Sequence, residues 1–291
     1  MLDQNIAPDA FINATLVDGF IRHGDLDQAK HLFELTIAKG IDPGVVGFNT
    51  MIKGYSKFGM MKESLSCVKR MIEGQHSPDG FTYSTLIDGY VKHSDLHSAL
   101  RMFGQMVKCN CKPNVVTYTS LIYGFCSDGD FNSAEKTFEE MESCGLEPNV
   151  VTYTTLIGYF CKGGKLAKAC SYFEVMLVNN CSPNDITFNC LLNGLRDNVA
   201  VVNASFSEPQ EKENSLLLEY YGSMISGGWD KTTAAYISIL FCLWQHKMIK
   251  TATQLCYMMK EKGFLPDPVA FGSLLHDICL EGRSITRLKY Y

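Results

Sequence analysis

The sequence has no excess of basic residues. It contains 26 Lys and Arg against 31 Asp and Glu among 291 residues, which gives a net charge of −5. A broad nucleic-acid-binding surface needs a large surplus of cations, because it acts by neutralising phosphates without regard to base sequence. The charge balance therefore excludes a protein covered by such a surface, but it does not exclude a narrow basic groove.

Cys-x-x-Cys motifs are absent, although the chain has 12 cysteines. Cys126 and Cys161 share one repeat position, as do the pairs Cys109 with Cys144 and Cys111 with Cys181. This recurrence is typical of small buried hydrophobic residues in a reducing compartment. The sequence therefore predicts neither a disulfide framework nor a cysteine zinc site.

Candidate catalytic and metal constellations are also lacking. His93 and His97 have i, i+4 spacing, but they lie on either side of a turn, so we predict no metal and no cofactor. We find no clustered acid, base or nucleophile, and we predict that the chain is not an enzyme.

What the sequence does contain is a 35-residue repeat. Residues 148–176, PNVVTYTTLIGYFCKGGKLAKACSYFEVM, superimpose on residues 113–141, PNVVTYTSLIYGFCSDGDFNSAEKTFEEM. Seven of the nine prolines keep this register: Pro8, Pro43, Pro78, Pro113, Pro148, Pro183 and, two periods and 13 residues further on, Pro266. Self-similarity at a fixed period indicates an array of small structural units.

Each unit is predicted to be a pair of helices. Apolar residues recur at i, i+3, i+4 and i+7 in the first half, as in Tyr153, Leu156, Ile157 and Phe160, which places them on one helical face. The second half has similar spacing in Phe131, Ala134, Phe138 and Met141. Thr117 and Thr152 are the predicted N-caps of their first helices. Because one hairpin cannot bury its apolar face alone, we predict an all-α solenoid with a concave inner surface.

The repeat resembles the pentatricopeptide repeat family, in the P type that is typical of plants. The resemblance rests on the period, the VVTYTTLI opening, FCK before the turn, Ala and Phe in the second helix, and Met before Gly-x-x-Pro-Asn. The predicted divisions are a tail of a preceding repeat at 1–9, then repeats at 10–44, 45–79, 80–114, 115–149, 150–184, 185–232 and 233–267, and a partial repeat at 268–291.

The period is interrupted once, in the sixth repeat. Thirteen additional residues fit best at 198–210, NVAVVNASFSEPQ, within the turn between the two helices. A longer loop costs little entropy there, so a tolerated excursion and a contact site for a protein partner are both open. Both ends of the chain fall inside a hairpin, and we expect a fragment of a longer array; the absence of a targeting peptide is then uninformative.

The first helices carry a basic column roughly opposite the core stripe. Its members at successive repeats are Arg22, Lys57, Lys92, Ser127 and Lys162. Cations repeated once per hairpin predict a ladder suited to a phosphate backbone. A solvated helix face is the alternative.

An apolar column also lies away from the core stripe. It consists of Phe11, Val46, Phe81, Val116, Val151 and Ile186. Successive members predict a surface that sandwiches bases. A hydrophobic staple at the helix entry is the alternative.

A third column is small and polar, and it lies near the Asp or Asn that ends each repeat. The column is Asn49, Ser84, Thr119, Thr154 and Asn189; the terminal residues are Asp79, Asn114, Asn149 and Asn184. Helix capping alone would explain the terminal residues. A carboxylate only accepts hydrogen bonds, however, and suits the N–H of uracil or guanine, whereas an amide can donate to adenine or cytosine.

The resemblance implies that each polar pair reads one RNA base, which the apolar column clamps. Asn49 with Asp79 then implies U, and three pairs imply A: Ser84 with Asn114, Thr119 with Asn149, and Thr154 with Asn184. The expected core is 5′-UAAA-3′, read from the N-terminal repeat onward. Asn189 with Thr232 implies at most a weak pyrimidine preference; Ala14 with Gly44 and Ile237 with Asp267 cannot form the usual pair.

We therefore expect sequence-specific binding of single-stranded RNA without catalysis. The resemblance implies a mitochondrial or chloroplast protein that acts in stabilisation, processing, splicing or translation of an organellar transcript. A protein-binding scaffold similar to tetratricopeptide repeats is the alternative, because helical-repeat grooves also hold peptides and the net charge is acidic. A protein partner would then bind at the groove, the insertion or the end repeats.

Overall fold

The computed structural model describes residues 9–184, 186–187, 189–191 and 193–194. Most of the predicted sixth repeat with its insertion at 198–210, and both later repeats, lie outside the described residues, as do Thr232, Ile237 and Asp267. The secondary structure of the described part is helical, with no strand, so the all-α prediction is confirmed.

Between residues 9 and 184, ten helices follow one another in pairs. They are α1 Ala10–His23, α2 Leu26–Ala38, α3 Gly44–Lys57, α4 Met61–Glu73, α5 Gly80–Lys92, α6 Leu96–Lys108, α7 Val115–Ser127, α8 Phe131–Ser143, α9 Val150–Lys162 and α10 Leu166–Val178. The chain divides into two compact units, Met1–Leu156 and Ile157–Tyr291.

In the first unit, four hairpins stack in chain order. Each first helix packs against its own second helix and against the first helix of the next hairpin, so that α1, α3, α5 and α7 are successive neighbours. The second helices contact the next first helix, as α2 does with α3 and α6 with α7. The surface of this layer that faces away from the second helices therefore presents one equivalent strip of residues per hairpin.

The repeated apolar stripes form the core of the first unit. One column of the first helices is buried throughout: Val17, Ile52, Ile87 and Ile122. Met71, Met106 and Met141 form the matching column of the second helices and have no exposed surface. Phe33 and Phe48 join the first two hairpins edge to face, with ring centroids 5.5 Å apart. Burial of these columns is the main force that holds hairpins together.

The second unit begins within α9 and contains α10. Phe160 and Tyr172 stack with ring centroids 5.4 Å apart and ring planes 11° from parallel. Phe173 and Met176 of α10 are fully buried. The same apolar pattern therefore forms a helix pair here.

The helix starts correct one prediction from the sequence. Thr117 is not the N-cap of α7: Asn114 is, and its side chain accepts from the Thr117 backbone N–H three residues on. Asp79 caps α5 in the same way through Thr82. Thr152 is not an N-cap either: it lies inside α9, and Asn149 Oδ1 accepts from its backbone N–H at 3.1 Å. Asn and Asp are preferred over Thr as N-caps, and Thr82 and Thr117 at the third helical position complete capping boxes.

Candidate nucleic-acid interface

The apolar column lies on the surface. Val46, Phe81, Val116, Val151 and Ile186 are each 53–62% exposed, and Phe11 is 73% exposed. A hydrophobic staple would pack these side chains against the helix that they enter. Their exposure does not fit that alternative, and it leaves one apolar group per hairpin available to a ligand.

The Asn49–Asp79 pair is assembled between α3 and α5. Asn49 Nδ2 donates to Asp79 Oδ1 at 3.2 Å, so the structure brings these two predicted residues into direct contact. Thr82 Oγ1 lies between them, 2.6 Å from Asn49 Oδ1 and 2.9 Å from Asp79 Oδ1. Asn49 is buried, whereas Asp79 is exposed, so the carboxylate is the member of the pair that solvent or a ligand reaches.

Asp79 is held in its charged form. Burial raises the pKa of this carboxyl, but hydrogen bonds from the Thr82 backbone and hydroxyl and from Asn49 outweigh it, and the net pKa lies below the usual aspartate value. At neutral pH Asp79 therefore only accepts hydrogen bonds.

Ser84 and Asn114 are connected through a third residue, Thr117. Ser84 Oγ lies 2.7 Å from Thr117 Oγ1, and Thr117 contacts Asn114 Oδ1 through both its backbone N–H, at 3.0 Å, and its hydroxyl, at 3.1 Å. Ser84 is 5% exposed, and Asn114 is exposed. The structure thus links this pair indirectly.

The next junction repeats this arrangement. Thr119 Oγ1 lies 2.7 Å from Thr152 Oγ1, and Thr152 Oγ1 lies 3.2 Å from Asn149 Oδ1. In the second unit, Asn184 Oδ1 accepts from the backbone N–H and the hydroxyl of Thr187, both at 3.0 Å. Thr154 is half-buried, and Asn189 is exposed.

Capping fixes which end of each terminal amide faces outward. An Asn side chain has one accepting and one donating end. In Asn114, Asn149 and Asn184 the oxygen is used by the helix N-terminus. The NH₂ group is therefore the end left for a ligand, so an Asn junction offers a donor where Asp79 offers an acceptor.

The basic column is exposed, but two of its positive charges are paired with carboxylates. Arg22 Nε lies 2.5 Å from Asp18, and Lys92 Nζ lies 2.6 Å from Asp88. Lys57 Nζ donates to the Ile21 carbonyl at 3.2 Å. In the second unit, Lys162 Nζ lies 5.1 Å from the centroid of the Tyr159 ring. A phosphate would have to replace some of these contacts.

Two features of this surface were not predicted. One is the bridging role of the threonines, for which the sequence predicts only capping, and the other is the pair of carboxylates Asp18 and Asp88 beside the basic column. Sequence signals existed for both: Thr82, Thr117, Thr152 and Thr187 recur at one repeat position, and Asp18 and Asp88 stand four residues before Arg22 and Lys92.

The cysteines follow their predicted role only in part. Cys126 and Cys161 are buried, and burial raises the pKa of each thiol to about 12. Cys109 and Cys144 are exposed, so the prediction of buried hydrophobic residues is wrong for that pair. His93 Nε2 lies 3.1 Å from the Ser56 carbonyl. Within the described ranges, no group of three or more His, Cys, Asp or Glu residues is arranged to hold a metal.

The stacked hairpins and their repeated surface define a helical-repeat protein. The model of the PPR repeat family matches residues 43–92, 82–127, 114–162 and 148–197, and the model of the pentatricopeptide repeat domain matches residues 1–57. The chain belongs to the pentatricopeptide repeat family.

The chain is similar to three known proteins. A pentatricopeptide repeat-containing protein from Arabidopsis thaliana is 51% identical over 72 residues, which are 25% of this chain and 9% of the relative. The pentatricopeptide repeat protein PPR10 from maize has a TM-score of 0.52 at 25% identity, covering 92% of this chain and 41% of its own. The PPR domain of Arabidopsis thaliana protein-only RNase P 1, solved with tRNA, has a TM-score of 0.52 at 18% identity over 65% of this chain and 100% of its own.

These comparisons confirm the predicted solenoid fold. The chain spans less than half the length of the Arabidopsis relative and of the maize protein. Among the residues that the structure describes, none of the helices is long and apolar enough to cross a membrane.

Proposed function

We propose that the chain binds single-stranded RNA and selects one base per repeat, with 5′-UAAA-3′ as the preferred core. The observation that carries this proposal is the hydrogen-bonding group that each terminal side chain presents to solvent. It accepts at Asp79 and donates at Asn114, Asn149 and Asn184, because the helix caps fix the orientation. One exposed apolar residue accompanies each of these groups.

The proposed base assignment follows from this chemistry. The Asp79 carboxylate accepts from the N3–H of uracil, and guanine is the other base with a ring N–H at this edge. The three Asn amides donate to the ring nitrogen of adenine. Val46, Phe81, Val116, Val151 and Ile186 supply apolar surface against the base faces.

The basic column is proposed to follow the phosphates. Arg22, Lys57, Lys92 and Lys162 are exposed, and neutralising phosphates would make binding weaker at higher salt. Asp18 and Asp88 lower the net charge of this column, so we expect a shallow salt dependence. Base and stacking contacts then account for most of the affinity.

The family assignment suggests where such binding takes place. We propose a mitochondrial or chloroplast protein that acts in stabilisation, processing, splicing or translation of a transcript, without catalysis by these repeats. A protein-binding scaffold is the second candidate, favoured by the net charge of −5 and by the carboxylates beside the basic column.

Direct binding tests the proposal. Fluorescently labelled oligoribonucleotides that differ only in the core, UAAA or UGGG, are titrated with the unmodified chain at one salt concentration. We expect tighter binding of UAAA. Equal binding of both cores, or no binding of either, would favour the scaffold and direct the search to protein partners.

Phe81 provides a test of the apolar column. Replacing Phe81 with Ala should weaken binding of the UAAA oligonucleotide by about 1 to 3 kcal/mol, because one base loses its aromatic contact. The matched control is Ile72→Ala, an apolar residue of similar exposure on the second helix α4. If both variants bind as the unmodified chain does, the apolar column does not contact RNA.

A further inference from the structure

A buried threonine stands at each described junction between two hairpins that has a polar terminal residue; Asp9, which caps α1 ahead of the first described hairpin, has Ile12 at this position. Thr82, Thr117, Thr152 and Thr187, here called the helix-entry threonines, each stand three residues after the terminal Asp or Asn, and all four are 0% exposed. The junction between the first two repeats has Ala14 and Gly44 in place of the polar pair, and Gly47 in place of the threonine. The threonine and the polar pair thus occur together or not at all among these junctions.

A capping box explains only part of what these threonines do. In a capping box the side chain of the third residue accepts a hydrogen bond from the N-cap backbone N–H, as Thr82 Oγ1 does from the Asp79 N–H at 3.1 Å. Thr82, Thr117 and Thr152 also contact the polar column of the preceding hairpin. The distances are 2.6 Å to Asn49 Oδ1, 2.7 Å to Ser84 Oγ and 2.7 Å to Thr119 Oγ1. Capping does not need these additional contacts.

The hydroxyl also holds the terminal amide in one orientation. Asn149 Oδ1 accepts from the Thr152 backbone N–H at 3.1 Å and from its hydroxyl at 3.2 Å. A half-turn of the amide would place the NH₂ group against these donors and turn the oxygen outward. The outward group would then accept instead of donate, which is the difference between reading adenine and reading guanine. Without the hydroxyl, fewer hydrogen bonds would oppose this half-turn.

The threonine also connects the buried polar column by hydrogen bonds to a side chain that a ligand can reach. Asn49 and Ser84 are only 7% and 5% exposed, so most of their polar surface faces protein. Through Thr82 and Thr117 they are hydrogen-bonded to the exposed terminal residues Asp79 and Asn114. The identity of the column residue can therefore change how the terminal residue is presented.

We propose that the helix-entry threonines are positioning residues for base selection. Each one orients the terminal Asn or Asp of its junction and couples it to the polar column of the preceding hairpin. The proposal rests on the base-reading function proposed above. The proposal adds a third residue, the threonine, to each base-reading pair. This residue affects specificity but does not contact the base.

The test replaces two threonines by the nearly isosteric valine. Thr117→Val/Thr152→Val removes both hydroxyls but keeps the backbone N–H that caps each helix. The readout is the ratio of affinities for UAAA and UGGA, because a purely structural defect would weaken both oligonucleotides together. We expect the preference for UAAA to fall by about threefold to tenfold, which corresponds to the loss of hydrogen bonds of ordinary net strength.

Two further variants serve as controls. Thr117→Ser/Thr152→Ser keeps the hydroxyls and should restore the preference. Thr50→Val/Thr155→Val makes the same chemical change elsewhere on first helices, where each hydroxyl donates at 2.8 Å to its own helix, at the Val46 and Val151 carbonyls. It should leave the preference unchanged.

Each outcome has a separate meaning. A valine variant that keeps its preference within about twofold of the unmodified chain overturns the positioning role. An unmodified chain that does not distinguish UAAA from UGGA overturns the base-reading function and this proposal with it. Circular dichroism at the binding temperature checks folding. Should the double variant unfold, Thr117→Val with UGAA and Thr152→Val with UAGA give the same comparison one position at a time.

Discussion

Replacing Asn114 and Asn149 together by Asp is expected to change the preferred RNA core from UAAA to UGGA. In each residue the capping oxygen is retained, because Asp and Asn are equally good N-caps. Only the outward group changes, from an amide donor to a carboxylate acceptor. The carboxylate accepts from the N1–H of guanine and faces a lone pair in adenine, so the change acts on both oligonucleotides in opposite directions.

The expected size follows from the number of hydrogen bonds exchanged. Each mismatch leaves a polar group without a partner, which costs about 1 to 3 kcal/mol, or about 5- to 150-fold in affinity, per position. Titration of UAAA and UGGA with both proteins gives the ratio. The measurement uses a ratio because two added carboxylates also weaken all RNA binding by repelling phosphates.

A charge-matched variant distinguishes a change of base preference from a general repulsion between the added carboxylates and the RNA phosphates. Gln105→Glu/Asn132→Asp adds two carboxylates at exposed positions on the second helices α6 and α8. It should weaken both oligonucleotides slightly and leave their ratio unchanged. If the Asn114→Asp/Asn149→Asp protein keeps the ratio of the unmodified chain, these residues do not read bases.

Leu86→Ala is expected to destabilise the first unit by about 2 to 5 kcal/mol. Leu86 is 1% exposed in α5 and belongs to the apolar core that α5 shares with neighbouring helices. Truncation removes buried apolar surface and leaves a cavity, which closely packed helices fill only in part. In a solenoid each hairpin is stabilised by its neighbours, so the loss should also loosen adjacent junctions.

Urea unfolding followed by circular dichroism measures this effect. Val116→Ala is the control, because Val116 is 56% exposed on α7, and we expect its free energy of unfolding to change by less than about 0.5 kcal/mol. Val116→Ala should nevertheless weaken RNA binding, whereas its stability stays near that of the unmodified chain. A Leu86→Ala protein as stable as this control would contradict the packing of α5.

Local patterns in the sequence predicted the helices and much of the candidate surface. The i, i+3, i+4, i+7 spacing identified Tyr153, Leu156 and Ile157 as core, and all three are fully buried. The 35-residue register also identified Val46 and Val116 as a separate apolar column, which the structure leaves exposed. Periodicity is informative here because each repeat must present the same face to its neighbours.

The N-cap prediction, which depended on the hydrogen-bond partner of a polar side chain, was wrong. Thr117 was expected to be the N-cap of α7, but Asn114 takes that place. The phosphate ladder stays a prediction, and the structure adds a carboxylate one helical turn from Arg22 and from Lys92. Capping and ion pairing depend on distances of a few tenths of an ångström, which residue spacing does not specify.

The sequence by itself determined the repeat, the helical hairpin, the apolar core and the type of residue at each surface position. Only the tertiary structure decided how those positions are connected. Asn49 is hydrogen-bonded to Asp79, and Ser84 to Thr117, because stacking brings the first helix of one hairpin beside the start of the first helix of the next hairpin. The burial of apolar stripes is encoded locally and needs no partner to be specified, whereas a hydrogen bond between residues about 30 positions apart exists only once two hairpins are packed together.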